Sequence, residues 1–254
     1  MDLGIKGKKA IVCASSKGLG RGCAMALAEA GCDLVVNGRD AATLARTAAE
    51  LRDRYKVDVI EIAGDVSQSE VQKAMLAACP APDILVNNNG GPPRKDFRDL
   101  DRQAILDGVV KNMITPIELI KAVVDGMAER GFGRIVNITS LSVYVPIEGL
   151  DVSSGARAGL TAFLAGIARG VASRNVTINN MLPGKLDTDR LRGAFASGVS
   201  PEEHHARLIA DIPAGRLGTP EEFGQICAFL CSVHAGYLTG QNIPVDGGAY
   251  VSAF

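Results

Sequence analysis

Long apolar runs are missing from this sequence. No stretch of about 18 uninterrupted apolar residues occurs, so no transmembrane helix is expected. The amino-terminal MDLGIKGKK has no apolar run of the secretory type, and no signal peptide is expected. Basic clusters are also missing. The net charge is −1, with Lys and Arg scattered, which argues against a nucleic-acid or membrane surface. The six cysteines, Cys13, Cys23, Cys32, Cys79, Cys227 and Cys231, form no CxxC pair, and no His/Cys cluster has zinc spacing. No metal site is therefore expected, and Cys227 and Cys231, four apart on an expected helix, read as core packing. There is no internal repeat, linker or low-complexity segment. These absences leave a soluble cytoplasmic protein with reduced thiols, and the 254 residues suit one α/β domain.

What is present is organised around KAIVCASSKGLG, from Lys9 to Gly20. Ala10, Ile11 and Val12 have the length and character of a buried strand. Lys17-Gly18-Leu19-Gly20 then opens a helix of small and apolar residues over 22–30. A strand feeding a helix through a glycine turn aims unpaired N–H groups and the helix dipole at one point, which suits a phosphate or pyrophosphate. An ordinary strand–helix turn would read the same way, so the rest of the chain has to decide.

The remainder alternates strand and helix. Strands are expected at 33–37, 57–63, 84–87, 134–138, 176–182 and 242–245, with helices at 41–55, 69–78, 152–173 and 220–232. A long helix is expected over 100–129, bent near Pro116. In the 152–173 helix, Leu160, Leu164, Ile167 and Val171 share one face. Residues 193–213 are polar and weakly periodic, and read as a mobile flap. Repeated β–α units imply a Rossmann-like, doubly wound parallel sheet of about seven strands covered by helices on both faces. Ligands of such sheets sit outside the carboxyl ends of the strands. The segments after the expected strands, ASSKGLG, NGRD, GDV, NNNG, TSLS and LPGKLDT, are all small, polar or glycine-rich. Six such loops at one edge favour a dinucleotide.

This set of motifs resembles the short-chain dehydrogenase/reductase superfamily, and within it the 3-oxoacyl-carrier-protein-reductase-like members. The resemblance rests on the glycine turn, Asp65-Val66, NNNG at 87–90, Asn112, Ser140, PGKLDT at 183–188 and TGQNIPVDGG at 239–248. It implies a nicotinamide dinucleotide, a small-molecule carbonyl or alcohol substrate and a homotetramer built on the helices at 100–129 and 152–173. It also implies that Ser15, Ser16, Lys17, Gly18, Leu19 and Gly20 wrap the phosphates. Asp65 would bond the adenine, with Val66 packed against it, while Asn87 and Gly90 line the adenosine groove. Pro183, Gly184 and Thr188 would hold the nicotinamide. An acid normally ends the second strand and accepts from the adenosine ribose. Here Gly38 stands in its place and Arg39 follows, so NADP(H) is expected ahead of NAD(H), with Lys17 approaching the 2′-phosphate from the other side.

The chain departs from the family pattern at three places. Ala14 replaces a usual Gly, so either the turn differs or Ala sits at positive φ at a cost of about 1 kcal/mol; a differing turn is the expectation. Asn89 replaces the Ala of NNAG. Thirdly, the family's Ser is followed about thirteen residues later by Tyr-x-x-x-Lys; here Ser140 is followed by Ser153 and Arg157. A Tyr phenol titrates near pH 10 and a nearby cation can lower that. A Ser hydroxyl is a far weaker acid, and Arg does not relay protons. Arg can still bind ribose hydroxyls and stabilise a developing alkoxide. Positions 153 and 157 share a helix face with Leu160 and Leu164, so Arg157 is expected to point inward, toward cofactor or a structural ion pair. Asn112, Ser140, Ser153 and Arg157 are the catalytic candidates. Tyr144, Lys185, His204 and His205 are other polar groups near the expected pocket, but none matches a family catalytic position. Three readings stay open: an NADP(H) oxidoreductase with a rebuilt proton site, a dinucleotide-binding sensor or partner subunit, and an isomerase or lyase using bound cofactor. The segment 186–213 would select the substrate.

Overall fold

The strands follow from short β-branched and aliphatic runs that bury both faces. A computed structural model describes residues 1–193 and 200–252. Strands β1 (Lys9–Val12), β2 (Asp33–Gly38), β3 (Val59–Ala63), β4 (Ile84–Asn87), β5 (Gly133–Ile138), β6 (Val176–Pro183) and β7 (Asn242–Val245) form one sheet in the order β3-β2-β1-β4-β5-β6-β7. Every pairing is parallel. Side chains alternate between two cores. Ala10, Val12, Leu34, Val36 and Val86 face one layer of helices, and Ile11, Val35, Leu85 and Ile135 face the other.

The first layer holds α1 (Gly18–Glu29), α2 (Ala41–Tyr55) and α9 (Pro220–Leu230). Helices α1 and α9 touch through their backbones. A Cβ on Gly224 would fall 2.2 Å from the Gly22 carbonyl oxygen, and one on Gly22 would fall 2.0 Å from that of Pro220. Cys23, Cys227 and Cys231 fill the surrounding core as free thiols, which for Cys227 and Cys231 matches their reading as packing residues. The second layer holds α3 (Ser69–Ala78), α5 (Thr115–Glu129) and α6 (Asp151–Val171), with Leu160 and Leu164 inward as their spacing required.

The expected helix over 100–129 is broken in three. Helix α4 (Arg102–Val109) passes into a π turn, Val110–Ile114, before α5. Pro116 explains the shift. It has no N–H to give to the Asn112 carbonyl, so the ladder slips and Thr115 donates to Val110, five residues back. The expected loop over 193–213 also needs correction. Residues 194–199 lie outside the described residues, but α7 (Asp189–Arg192) precedes them and α8 (Pro201–Ile209) follows. The start signal of α8 was in the sequence: Ser200 caps the Glu203 N–H and Pro201 occupies the first turn.

The expectation that the glycine turn differs at Ala14 is also corrected. Ala14 sits at φ +44°, so the turn keeps its left-handed residue and strains it. Two asparagines hold it there. Asn37 Oδ1 accepts from the Ala14 N–H at 3.2 Å, and Asn88 Nδ2 donates to its carbonyl at 3.2 Å.

Candidate active site at the carboxyl edge of the sheet

Asn87, Ser140 and Pro183 lie at the same edge of the sheet, at the ends of β4, β5 and β6. In-register pairing places Asn87, Asn137, Asn180 and Asn242 in one row across four strands. Their amides form a chain. Asn87 Nδ2 donates to Asn137 Oδ1 at 2.9 Å, Asn137 to Asn180 at 3.0 Å, and Asn180 to Asn242 at 2.8 Å. Asn87 Oδ1, at the open end of the chain, is buried without a partner. Only the register brings the four together, so the sequence alone did not disclose the row.

The glycine turn fits a pyrophosphate. The α1 N-terminus has no side-chain cap and no acid in its first turn, so its first N–H groups are unclaimed. Gly18 adopts φ +55°, and a Cβ on Gly20 would press to 2.4 Å from the Ala14 carbonyl oxygen. Thr188 stands across the groove, 3.6 Å from the position a Gly18 Cβ would take. Ser15 has both of its donors engaged within the turn. Its N–H goes to the Asn37 carbonyl at 2.7 Å and its hydroxyl to that of Val12 at 2.8 Å, so it shapes the turn from inside. Ser16, Lys17, Gly18, Leu19 and Gly20 remain to meet a ligand.

At the adenosine side, Gly38 has a steric reason. A Cβ there would lie 2.6 Å from Ser16 Oγ, so an acid at this position would have to displace the Ser16 side chain. The Asp40 carboxylate caps α2 through the Thr43 N–H at 2.8 Å. Asp65 accepts from the Ser67 N–H at 2.9 Å and hydroxyl at 2.7 Å, both on Oδ1, leaving Oδ2. Burial works against its charge, but the Ser67 bonds prevail and hold the carboxyl below its ordinary range. Val66 is buried beside Cys13. Gly90 borders open space, and Arg39 shares a cavity of ≈ 350 Å³ with Gly90, Lys95 and Lys111. Gly184 packs against Asp246, where a Cβ would come within 2.7 Å, which fixes the loop after Pro183.

The catalytic candidates gather deeper in. Arg157 is only 7% exposed and does point inward. It has no carboxylate partner among the described residues; instead Nε donates to Ser153 Oγ at 3.2 Å and Nη1 to the Ile138 carbonyl at 2.8 Å. The structural ion pair is thus excluded among those residues. Burial, reinforced by Arg190, pulls its pKa down to about 10. Arg157, Asn112 and Lys111 line a small cavity of ≈ 20 Å³, about the size of one water. Asn112 sits in the π turn, gives Nδ2 to the Gly108 carbonyl at 3.2 Å, and leaves Oδ1 buried without a partner. Ser140 Oγ accepts from the Ser142 N–H at 3.1 Å, which leaves its own proton free to donate. Asn89, the second departure, ties this loop to the π turn through the Lys111 carbonyl at 3.3 Å.

A family model described as enoyl-(acyl carrier protein) reductase matches residues 13–250. The chain is 35% identical over 257 residues to the 3-oxoacyl-(acyl-carrier-protein) reductase FabG of Pseudomonas aeruginosa, spanning 98% of this chain and 100% of that protein. The chain belongs to the short-chain dehydrogenase/reductase superfamily. Solved members superpose closely. L-sorbose reductase from Gluconobacter frateurii, complexed with NADPH and L-sorbose, has a TM-score of 0.94 at 27% identity, covering 99% of this chain and 100% of that one. A 3-oxoacyl (acyl-carrier-protein) reductase from Agrobacterium tumefaciens with NADP bound has a TM-score of 0.89 at 26% identity, covering 97% and 95%. This short-chain dehydrogenase/reductase is accordingly an NAD(P)-dependent oxidoreductase. No described helix is long and apolar enough to cross a membrane.

Other polar groups near the pocket are engaged. Tyr144 stacks on Tyr250 with centroids 5.0 Å apart, and Lys185 Nζ bonds Asp211 and the Leu208 carbonyl. His204 and His205 lie on α8. Two cations that sequence reasoning missed, Lys111 and Arg190, border the site. Lys111 precedes Asn112 in the π turn, and Arg190 crosses from α7 to the Pro92 carbonyl at 3.1 Å. Neighbourhood to Asn112 and Thr188 was the one signal that could have flagged them.

Proposed function

We propose that this chain is an NADP(H)-dependent reductase or dehydrogenase of a carbonyl/alcohol pair, similar to 3-oxoacyl reductases, with Ser153 and Arg157 in place of the family's Tyr and Lys. The observation that carries the reading is the Arg157–Ser153 bond at the floor of the pocket. When bound, the nicotinamide cofactor supplies the hydride. The overall change is carbonyl, NADPH and a proton to alcohol and NADP⁺.

The chain's own groups would act as follows. Ser16 to Gly20 hold the pyrophosphate, Asp65 and Val66 hold the adenine with Asn87 and Gly90 along the groove, and Pro183, Gly184 and Thr188 seat the nicotinamide. Ser140 donates its hydroxyl to the substrate oxygen. Ser153 accepts from Arg157 Nε, which leaves its own O–H to serve as a second donor. Neither Ser nor Arg gives up a proton at neutral pH, so the alkoxide, stabilised by these donors and by the cation, takes its proton from water. Asn112 Oδ1 is placed to hold that water in the small cavity. The segment 186–213 would cover the substrate. Exposed Ile105, Leu106, Val110, Ile114 and Phe163 support a homotetramer built on the helices of 100–129 and 152–173; sedimentation showing a stable monomer at micromolar concentration counts against it.

NADP(H) is favoured by Gly38 standing where an acid would be, close against Ser16, and by Arg39 and Lys17 nearby. Two charge-assisted contacts of about 1.5–3 kcal/mol each give at least tenfold discrimination. Calorimetry with both cofactors at fixed salt tests this. Equal affinities, or an Arg39→Ala protein that prefers NADP(H) as strongly, would remove the assignment. A screen of ketones and alcohols followed by nicotinamide absorbance tests the activity. The missing phenol favours one second reading, a dinucleotide-binding subunit without catalysis; tight cofactor binding with no turnover on any carbonyl would establish it instead.

A further inference from the structure

Four asparagines stand where the sheet would ordinarily continue its core. On β4, β5 and β6 the inward residues Leu85, Ile135 and Ile178 belong to the second core. Two residues later on each strand, on the same face, stand Asn87, Asn137 and Asn180, and Asn242 continues the row on β7. The first three are 1–4% exposed. Burying amides among aliphatic side chains is costly unless they are bonded. Here each Nδ2 donates to the Oδ1 of the next, from Asn87 through to Asn242. The backbone fixes this direction. Asn137 Nδ2 also faces the Asn179 carbonyl at 3.5 Å, so a reversed amide would set oxygen against oxygen. Bonds that all run one way align the amide dipoles, and the negative end of the row emerges at Asn87 Oδ1.

That oxygen is buried and accepts no hydrogen bond from the described residues. Asn87 lines the cavity of ≈ 20 Å³ together with Arg157, which brings the complementary need. Arg157 donates from Nε to Ser153 Oγ and from Nη1 to the Ile138 carbonyl, while Nη2 makes no bond among the described residues. Arg134 shows the contrast: equally buried, its guanidinium has four acceptors, the carbonyls of Ser232, Gly133 and Asn175 and Asn175 Oδ1. On the same lining as Arg157, Asn112 Oδ1 and Thr115 Oγ1 are also buried without a partner. A cavity of this size suits one water, which needs about two to four polar partners. Arg157 offers a donor to it, and Asn87 and Asn112 offer acceptors.

We propose that the asparagine row is the positioning device of Arg157. A water in the small cavity accepts from the guanidinium and donates to Asn87 Oδ1, so the negative end of the row stands in for a carboxylate partner. Held at this edge, the guanidinium keeps Nε on Ser153 Oγ. A neutral amide answers a cation less fully than a carboxylate does, so burial still weighs against the charge. Asn180 and Asn242, which line neither cavity, acquire a role at the site through the row. The proposal concerns the ligand-free protein and stands apart from the carbonyl reading, since neither cofactor nor substrate enters its test.

The test reads the guanidinium itself. Nitrogen NMR of the protein carrying isotope-labelled arginine follows rotation about the Arg157 Nε–Cζ bond, which exchanges the two Nη groups. The Arg157 signals are those missing from Arg157→Met. Asn180→Leu cuts the row outside the cavity and leaves the residues of the Ser153 and Ile138 contacts in place. It is expected to speed the rotation about 3–10-fold, the equivalent of one weakened hydrogen bond. Asn242→Leu breaks the last link on the less buried edge strand and is expected to act in the same direction, so it carries the test if Asn180→Leu does not fold. Thr177→Val changes a buried hydroxyl on β6 outside the row; it reports general loosening and is expected to leave the rotation unchanged. A rotation that neither row variant alters, or that Thr177→Val alters as much, would overturn the proposal.

Discussion

Replacing Arg157 by Met should stabilise the ligand-free protein while disabling it. The folded environment lowers the pKa of this guanidinium from 12.5 to about 10, chiefly through burial, which corresponds to about 3 kcal/mol held against the charged form. Because that pKa stays well above neutral, the group remains charged at pH 7 and the unfavourable energy is present throughout the working range; it would fade only as the pH rises past about 10. Met removes the charge and keeps an unbranched stem of similar reach. Against this gain stand two lost hydrogen bonds and an Ile138 carbonyl left without its donor, about 2 kcal/mol together. The net expectation is about 1 kcal/mol of added stability, or a rise of about 2–4 °C in Tm for a chain of this size. Thermal and urea unfolding of the ligand-free proteins, run in parallel, measure it. A loss of about 3 kcal/mol or more is what breaking a satisfied buried ion pair produces. That result would mean Arg157 is a structural residue with a partner.

Ala14→Gly should stabilise the protein by about 1 kcal/mol, since φ +44° strains Ala and suits Gly, and urea unfolding would show it; a loss would mean that the turn is not strained. Gly224→Ala should cost about 3 kcal/mol or prevent folding, because its Cβ would meet the backbone of Gly22 at 2.2 Å and force α1 from α9; stability within 0.5 kcal/mol of the parent would contradict that packing. Glu222 is held at a pKa of about 2 by Arg216 first and by the Thr219 N–H. Its carboxylate therefore contributes stability above about pH 4.5 that is lost as the pH falls toward 2, and a pH series of melting temperatures should show this acid limb flattened in Glu222→Gln.

The sheet was legible because buried parallel strands need short apolar runs, and Ala10-Ile11-Val12 or Leu34-Val35-Val36 have no other comfortable location. The loops at its carboxyl edge were legible for a related reason: glycine and small polar residues collect where strands must turn toward a ligand. The break at 110–114 was not, since it arises from a contest between Pro116, which withholds a donor, and the packing that keeps the helix running through it. Helix α8 was overlooked although Ser200-Pro201 marks its start, because its polar faces hid the period. Arg157 was read correctly as inward, but its lack of a carboxylate partner among the described residues needed the fold, as did the approach of Arg190 from a different element. Pairings set by topology across many residues leave no local trace.

In the proposed site Ser153 and Arg157 carry carbonyl chemistry where the family uses tyrosine and lysine. Ser153→Ala is the deciding variant, followed by NADPH absorbance with the best substrate of the carbonyl screen and by calorimetric NADPH binding. The account predicts measurable turnover in the parent enzyme, a loss of about 100-fold or more in kcat on removing this donor, and unchanged NADPH affinity. Turnover that survives Ser153→Ala at its full rate would contradict the assignment of the site, and NADPH that binds the parent tightly but is never oxidised by any carbonyl compound would contradict the carbonyl reading itself.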